Sequence, residues 1–157
     1  MKYHLAQINV ARMHFENIVA PAMESFRKQL DSINAQAERT PGFVWRLKDD
    51  TNNAMAYDPY DDPQIIVNIS VWETITALKD FTYHTAHAGL IRQRKEWFQA
   101  FGKAYYALWW IPKGTHPSLK EAQQRLDYLQ ENGPTPHSFD FKQAFTPTRS
   151  DENLHWG

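Results

Sequence analysis

Between residues 65 and 72 the chain alternates, with Ile65, Val67, Ile69 and Val71 on one side and Asn68, Ser70 and Trp72 on the other. That period of two predicts a half-buried strand whose second face carries polar groups beside a large ring. Similar runs predict strands at 3–11, 43–48 and 105–112. Between the first two, Met23, Phe26, Leu30, Ile33 and Ala37 recur at helical spacing, and Thr-Pro-Gly at 40–42 stops the helix. Thr74 is placed to cap a second helix carrying Ile75, Leu78 and Phe81.

After a break near Tyr83 the pattern predicts a helix over 86–98, AHAGLIRQRKEWF. At about 100° per residue, Leu90, Ile91, Trp97 and Phe98 define its apolar face, and His87 and Arg94 fall near the middle of that face. Arg92, Lys95 and Glu96 project toward water. A titratable ring and a permanent cation inside an apolar stripe need a reason, and this pair is the first candidate for chemistry.

The order β-α-β-β-α-β is the ferredoxin-like arrangement, so the fold class is α+β. A third helix follows. Ser118 and Glu121 form a capping box, Leu119, Ala122, Leu126 and Leu129 make the stripe, and Gly133 with Pro134 ends it. Phe139, Phe141 and Phe145 alternate through 137–145, which predicts a fifth strand. Residues 1–146 read as one domain and 147–157 as a polar, flexible tail. Helices on one sheet face leave the other needing cover, and a homodimer packing sheet against sheet would supply it.

Composition narrows the classes. Of 157 residues, 17 are basic and 18 acidic, with no long basic block, which argues against nucleic acid and charged membrane surfaces. Without cysteine there is no disulfide framework, thiolate metal site or cysteine nucleophile. No segment reads as a signal peptide or membrane span, so a cytoplasmic protein is expected. Six Trp, seven Tyr and nine Phe can fill a core, line a ligand cavity or build a subunit interface. Nucleophile elbow, phosphate loop and dinucleotide fingerprint are all missing.

The segments YHLAQINVAR, PGFVWRL, IIVNISVWE, AHAGLIRQRKEWF, YALWWIPKGTHPSLKEAQQRL and GPTPHSFDFKQAF together resemble a family known as a domain of unknown function, DUF3291. The resemblance runs from about residue 2 to 146. It implies a dimeric α+β barrel, the superfamily of the antibiotic-biosynthesis monooxygenases. SVWETITALKDFTYHTAHAGLIRQRKEWF also looks like the matching region of spheroidene monooxygenase, a haem-dependent oxygenase. Asn9 in the first strand, VWET before the second helix and AH within it are similar to haem-degrading monooxygenases. That likeness implies His87 as axial haem ligand and Asn9, or Gln7 in another register, as the strand-one amide. Phe81 stands where that group carries a Trp, and the segment before His87 is shorter, a departure from haem degradation.

On this reading Arg94, two turns along and on the order of 10 Å from His87, would anchor a propionate or another ligand carboxylate, with Trp97 packing beside the macrocycle. A pocket would lie between 86–98 and the sheet, lined by Asn9, Trp45, Asn68, Trp72, Phe81, Leu90 and Trp97. His87 equally reads as a half-buried core histidine, and Arg94 as a salt-bridge partner. His84 and His87 are spaced to share a metal, yet no third ligand is identifiable. Three functions stay open. They are a haem-binding oxidoreductase or monooxygenase acting on a small hydrophobic molecule, a cofactor-free dimeric-barrel oxygenase, isomerase or dehydratase with His87 as base, and a non-catalytic ligand-binding dimer.

Overall fold

The computed structural model describes residues 2–48, 62–87, 89 and 94–147, with backbone only at Ala86 and His87. Four strands form one antiparallel sheet: β1 (Tyr3–Arg12), β2 (Phe43–Arg46), β3 (Ile65–Trp72) and β4 (Tyr106–Pro112). Their order across the sheet is β2-β3-β1-β4, so the two central partners come from distant parts of the chain. The crossovers carry α1 (Glu24–Arg39) and α2 (Ile75–His87), with the single turn α3 (Arg94–Trp97) before β4. This is the ferredoxin-like α+β fold.

Register decides what each face holds. In the β1–β3 ladder Leu5 opposes Trp72, Gln7 opposes Ser70 and Asn9 opposes Asn68. These residues turn toward α1 and α2, where Leu5, Trp72 and Leu108 pack with Ala37 and Leu78. The alternate residues Ala6, Ile8, Val10, Ile69, Val71 and Trp109 face the other way and are almost completely buried. Their cover is α4 (Leu119–Asn132), which lays Ala122, Leu126 and Leu129 on that face. Within the chain, α4 thus shelters the β1–β4 side of that face.

The helix ends follow local chemistry. Thr74 Oγ1 accepts the Ala77 N–H at 3.0 Å, and Ser118 Oγ accepts that of Glu121 at 3.0 Å. Gly42 has φ 92°, and a Cβ there would lie 2.5 Å from Ala77 Cβ, so glycine is what lets the turn before β2 touch α2.

Two expectations need correction. The helix predicted over 86–98 is not continuous: α2 stops at His87, Gly89 takes φ 77°, and α3 begins at Arg94. A left-handed glycine ends a helix, so the single stripe joining His87 to Arg94 does not run through it. The predicted fifth strand shrinks to one rung, where Leu108 and Phe139 exchange backbone hydrogen bonds of 2.8 and 2.9 Å. The next inward N–H, Phe141, donates to the Tyr106 hydroxyl at 3.1 Å instead, which ends the ladder. Among the described residues no helix is long and apolar enough to cross a membrane.

Candidate functional site

A cavity of about 350 Å³ opens between the sheet and the layer of α1, α2 and α3. Its floor is the polar patch that the β1–β3 register assembles. Gln7 Nε2 donates to Asn68 Oδ1 and to Ser70 Oγ, both at 2.7 Å. Asn9 Nδ2 donates to Gln7 Oε1 at 3.0 Å and to Asn68 Oδ1 at 3.2 Å. Trp72 Nε1 donates to Ser70 Oγ at 2.8 Å.

Counting donors and acceptors shows what this network offers an occupant. Both amide hydrogens of Gln7 and of Asn9 are used inside it. Ser70 Oγ already accepts two bonds, so its own hydrogen is left to donate. Asn68 takes part only through its oxygen, which leaves its amide N–H pair to donate. Asn9 Oδ1 and the second lone pair of Gln7 Oε1 remain as acceptors. The free donors are on Asn68 and Ser70, and that side of the floor suits a carbonyl or oxyanion oxygen.

The walls are aromatic. Phe81 stacks on Trp72 with centroids 5.2 Å apart, and Phe43 meets the same indole edge-on at 5.4 Å. Trp97 is buried, packs edge-on to Phe26 at 5.3 Å, and donates its indole N–H to Ser25 Oγ at 3.3 Å. Burial pushes the Tyr106 hydroxyl above its ordinary value, opposed by the Phe141 N–H, so the phenol stays protonated. At the outer end Arg94 is exposed, its guanidinium 5.4 Å from the centroid of Tyr105. Arg94 also lines an adjoining cavity of about 240 Å³, so it stands at their shared rim.

Asn9, Asn68, Trp72, Phe81, Arg94 and Trp97 all line the cavity. Gln7, the alternative to Asn9, lies beside it, so the choice between the two registers disappears. Trp45 lies elsewhere, stacked on His116 with centroids 4.4 Å apart and planes 13° from parallel. The reason is an irregularity in β2: Phe43 opposes Trp72, but Trp45 opposes Val71 and Arg46 opposes Ser70. The extra residue turns Trp45 to the α4 side and brings Arg46 round to the cavity, as bulges do. Leu90 and the His87 side chain lie outside the described residues.

Sequence reasoning misses Arg46, whose side chain is 4 % exposed and pairs with Glu38 at 3.2 Å. It also sees Ser70 only as a strand-face residue. A signal is present, because polar residues two apart in β1 and in β3 can only meet if the strands pair.

Nothing among the described lining residues supports haem: they include no imidazole or thiolate, the floor is built of neutral amides and a hydroxyl, and the helix expected to align His87 with Arg94 is interrupted at Gly89. Among the described residues no cluster of three or more His, Asp or Glu could hold a metal ion.

Two solved structures are similar to this chain at low identity. SnoaB, a cofactor-independent oxygenase from Streptomyces nogalater, is 20 % identical over 73 % of this chain and 98 % of its own, with a TM-score of 0.46. A Chloroflexus aurantiacus protein proposed to be an antibiotic biosynthesis monooxygenase is 19 % identical over 73 % of this chain and 97 % of its own, with a TM-score of 0.45. No curated protein matches. The family profile for the domain of unknown function DUF3291 matches residues 4–155, almost the whole sequence, and the chain belongs to that family.

Proposed function

We propose that this protein is an oxygenase-type enzyme that needs no haem and acts on a small, flat, largely apolar molecule with an enolisable or phenolic oxygen. The observation that carries the reading is the polar floor of Gln7, Asn9, Asn68 and Ser70 beneath an aromatic cavity. Apolar walls with a few convergent polar groups are the common form of a small-molecule site.

Hydrogen bonds from Asn68 and Ser70 would favour the anionic form of the substrate oxygen, and in a dry cavity such bonds are stronger than in water. An enolate or phenolate made this way is electron-rich enough to react with dioxygen directly. For a methylene beside the carbonyl, one methylene and one dioxygen give one new carbonyl and one water. One oxygen atom enters the product, and the other leaves as water with the two methylene hydrogens. The substrate supplies all four electrons. We assign the proton-accepting role to His87, which ends α2, from its place in the sequence.

The test is oxygen uptake with an electron-rich hydroxyaromatic compound, comparing the wild type with Asn68→Leu and His87→Ala. Uptake that depends on both residues supports the reading. Binding without uptake in the wild type would leave a ligand carrier and overturn the enzyme assignment.

A further inference from the structure

The charges around the cavity are one-sided. Its described lining holds no Asp, Glu, Lys or His, but it holds two arginines, Arg46 and Arg94. Arg46 is the buried member of an ion pair, with 4 % of its side chain exposed against 40 % for Glu38, so its charge is already balanced. Arg94 has a ring contact to Tyr105 and no carboxylate partner among the described residues. Add the Ser70 hydroxyl and the Asn68 amide, both left as donors, and the floor can meet a negatively charged or carbonyl oxygen as well. Low-dielectric walls with charge of one sign concentrate that preference.

We infer that the occupant is an aromatic monocarboxylate. Its carboxylate meets Arg94 at the rim, and a hydroxyl or carbonyl oxygen at its far end meets Asn68 and Ser70 on the floor. The body between them is flat, because the walls offer ring faces and edges from Trp72, Phe81, Phe43 and Trp97. The guanidinium fork suits a carboxylate, and its contact with Tyr105 holds the plane at the rim. This inference rests on the ligand-binding part of the reading above and adds the ligand's charge and polarity.

The test uses a hydroxynaphthoate with its hydroxyl and carboxylate at opposite ends of the bicycle, titrated by calorimetry into the full chain. Its carboxamide, equal in size and uncharged, is the comparison ligand. The acid is expected to bind about tenfold tighter than the carboxamide, the scale of one charge-assisted hydrogen bond. Arg94→Gln, a change at an exposed position, should bring the two affinities together, whereas Trp45→Phe should leave the gap intact. Equal affinity of acid and carboxamide for the wild type would overturn the anion inference and leave the cavity as a binding site. A gap that survives Arg94→Gln would overturn the role given to Arg94. If neither compound binds, the ligand-binding reading fails together with the inference.

Discussion

Gln7 of β1 and Ser70 of β3 face each other across the central ladder, and Gln7 Nε2 donates to Ser70 Oγ at 2.7 Å. Neither residue is more than 6 % exposed, so a strand-pairing contact and a cavity floor are here the same object. Gln7→Leu should therefore act on both. It would strip Ser70, Asn68 and Asn9 of partners, at a cost of about 1–3 kcal/mol. For a domain of this size that is a fall in Tm of roughly 3–9 °C, measurable by calorimetry. Binding of a cavity ligand should weaken in the same variant, since the donors on Asn68 and Ser70 lose their orientation. An unchanged Tm would mean that the floor is not the closed network described.

Gly42 offers a test of the packing that holds α2 over the sheet. Alanine there would need a left-handed backbone and would drive its Cβ to 2.5 Å from Ala77 Cβ. Strain and overpacking together should cost about 2–4 kcal/mol. The double change Gly42→Ala with Ala77→Gly removes the clash but not the backbone strain, so it should recover part of the loss. Urea unfolding of these variants beside the wild type measures this directly, and a Gly42→Ala protein as stable as the wild type would contradict the contact.

pH tests the contact between α4 and the segment that follows it. His137 is 6 % exposed and accepts Arg125 Nη1 on Nδ1 at 2.8 Å; burial and the Arg125 cation push its pKa down from 6.5 to about 4. The folded state thus holds the neutral ring while the unfolded chain takes up a proton between those values. Stability is then lost as pH falls from about 6.5 toward 4, by up to about 3 kcal/mol from this group. His137→Asn keeps an acceptor for Arg125 and removes the titration. The stability gap between variant and wild type should shift in favour of the variant across that window; a gap independent of pH would refute the linkage.

Much of this is legible in the sequence, and the failures have local causes. Alternation in 65–72 places Asn68, Ser70 and Trp72 on one face, and β3 keeps that pattern because nothing interrupts its pleat. In β2 one extra residue changes the phase, which no periodicity reveals, so simple alternation puts Trp45 in the cavity and leaves Arg46 out. Gly89 does carry a signal, since glycine after a helical run commonly ends it, but the apolar spacing beyond it outweighs that cue. Even so, Arg94 and Trp97 reach the cavity, because the chain returns to the sheet after the break. The capping box at Ser118 predicts where α4 starts but cannot say that it covers the second sheet face.

The central claim is that the occupied space is the sheet–helix cavity with its amide floor. Proton–nitrogen correlation spectra of labelled protein test it most directly, because side-chain amides and indoles report separately. On adding the hydroxynaphthoate, the side-chain signals of Asn68, Gln7 and Asn9 and the indole signals of Trp72 and Trp97 should shift, while that of Trp45 should not. Shifts confined to Trp45, with the floor amides unmoved, would contradict the account.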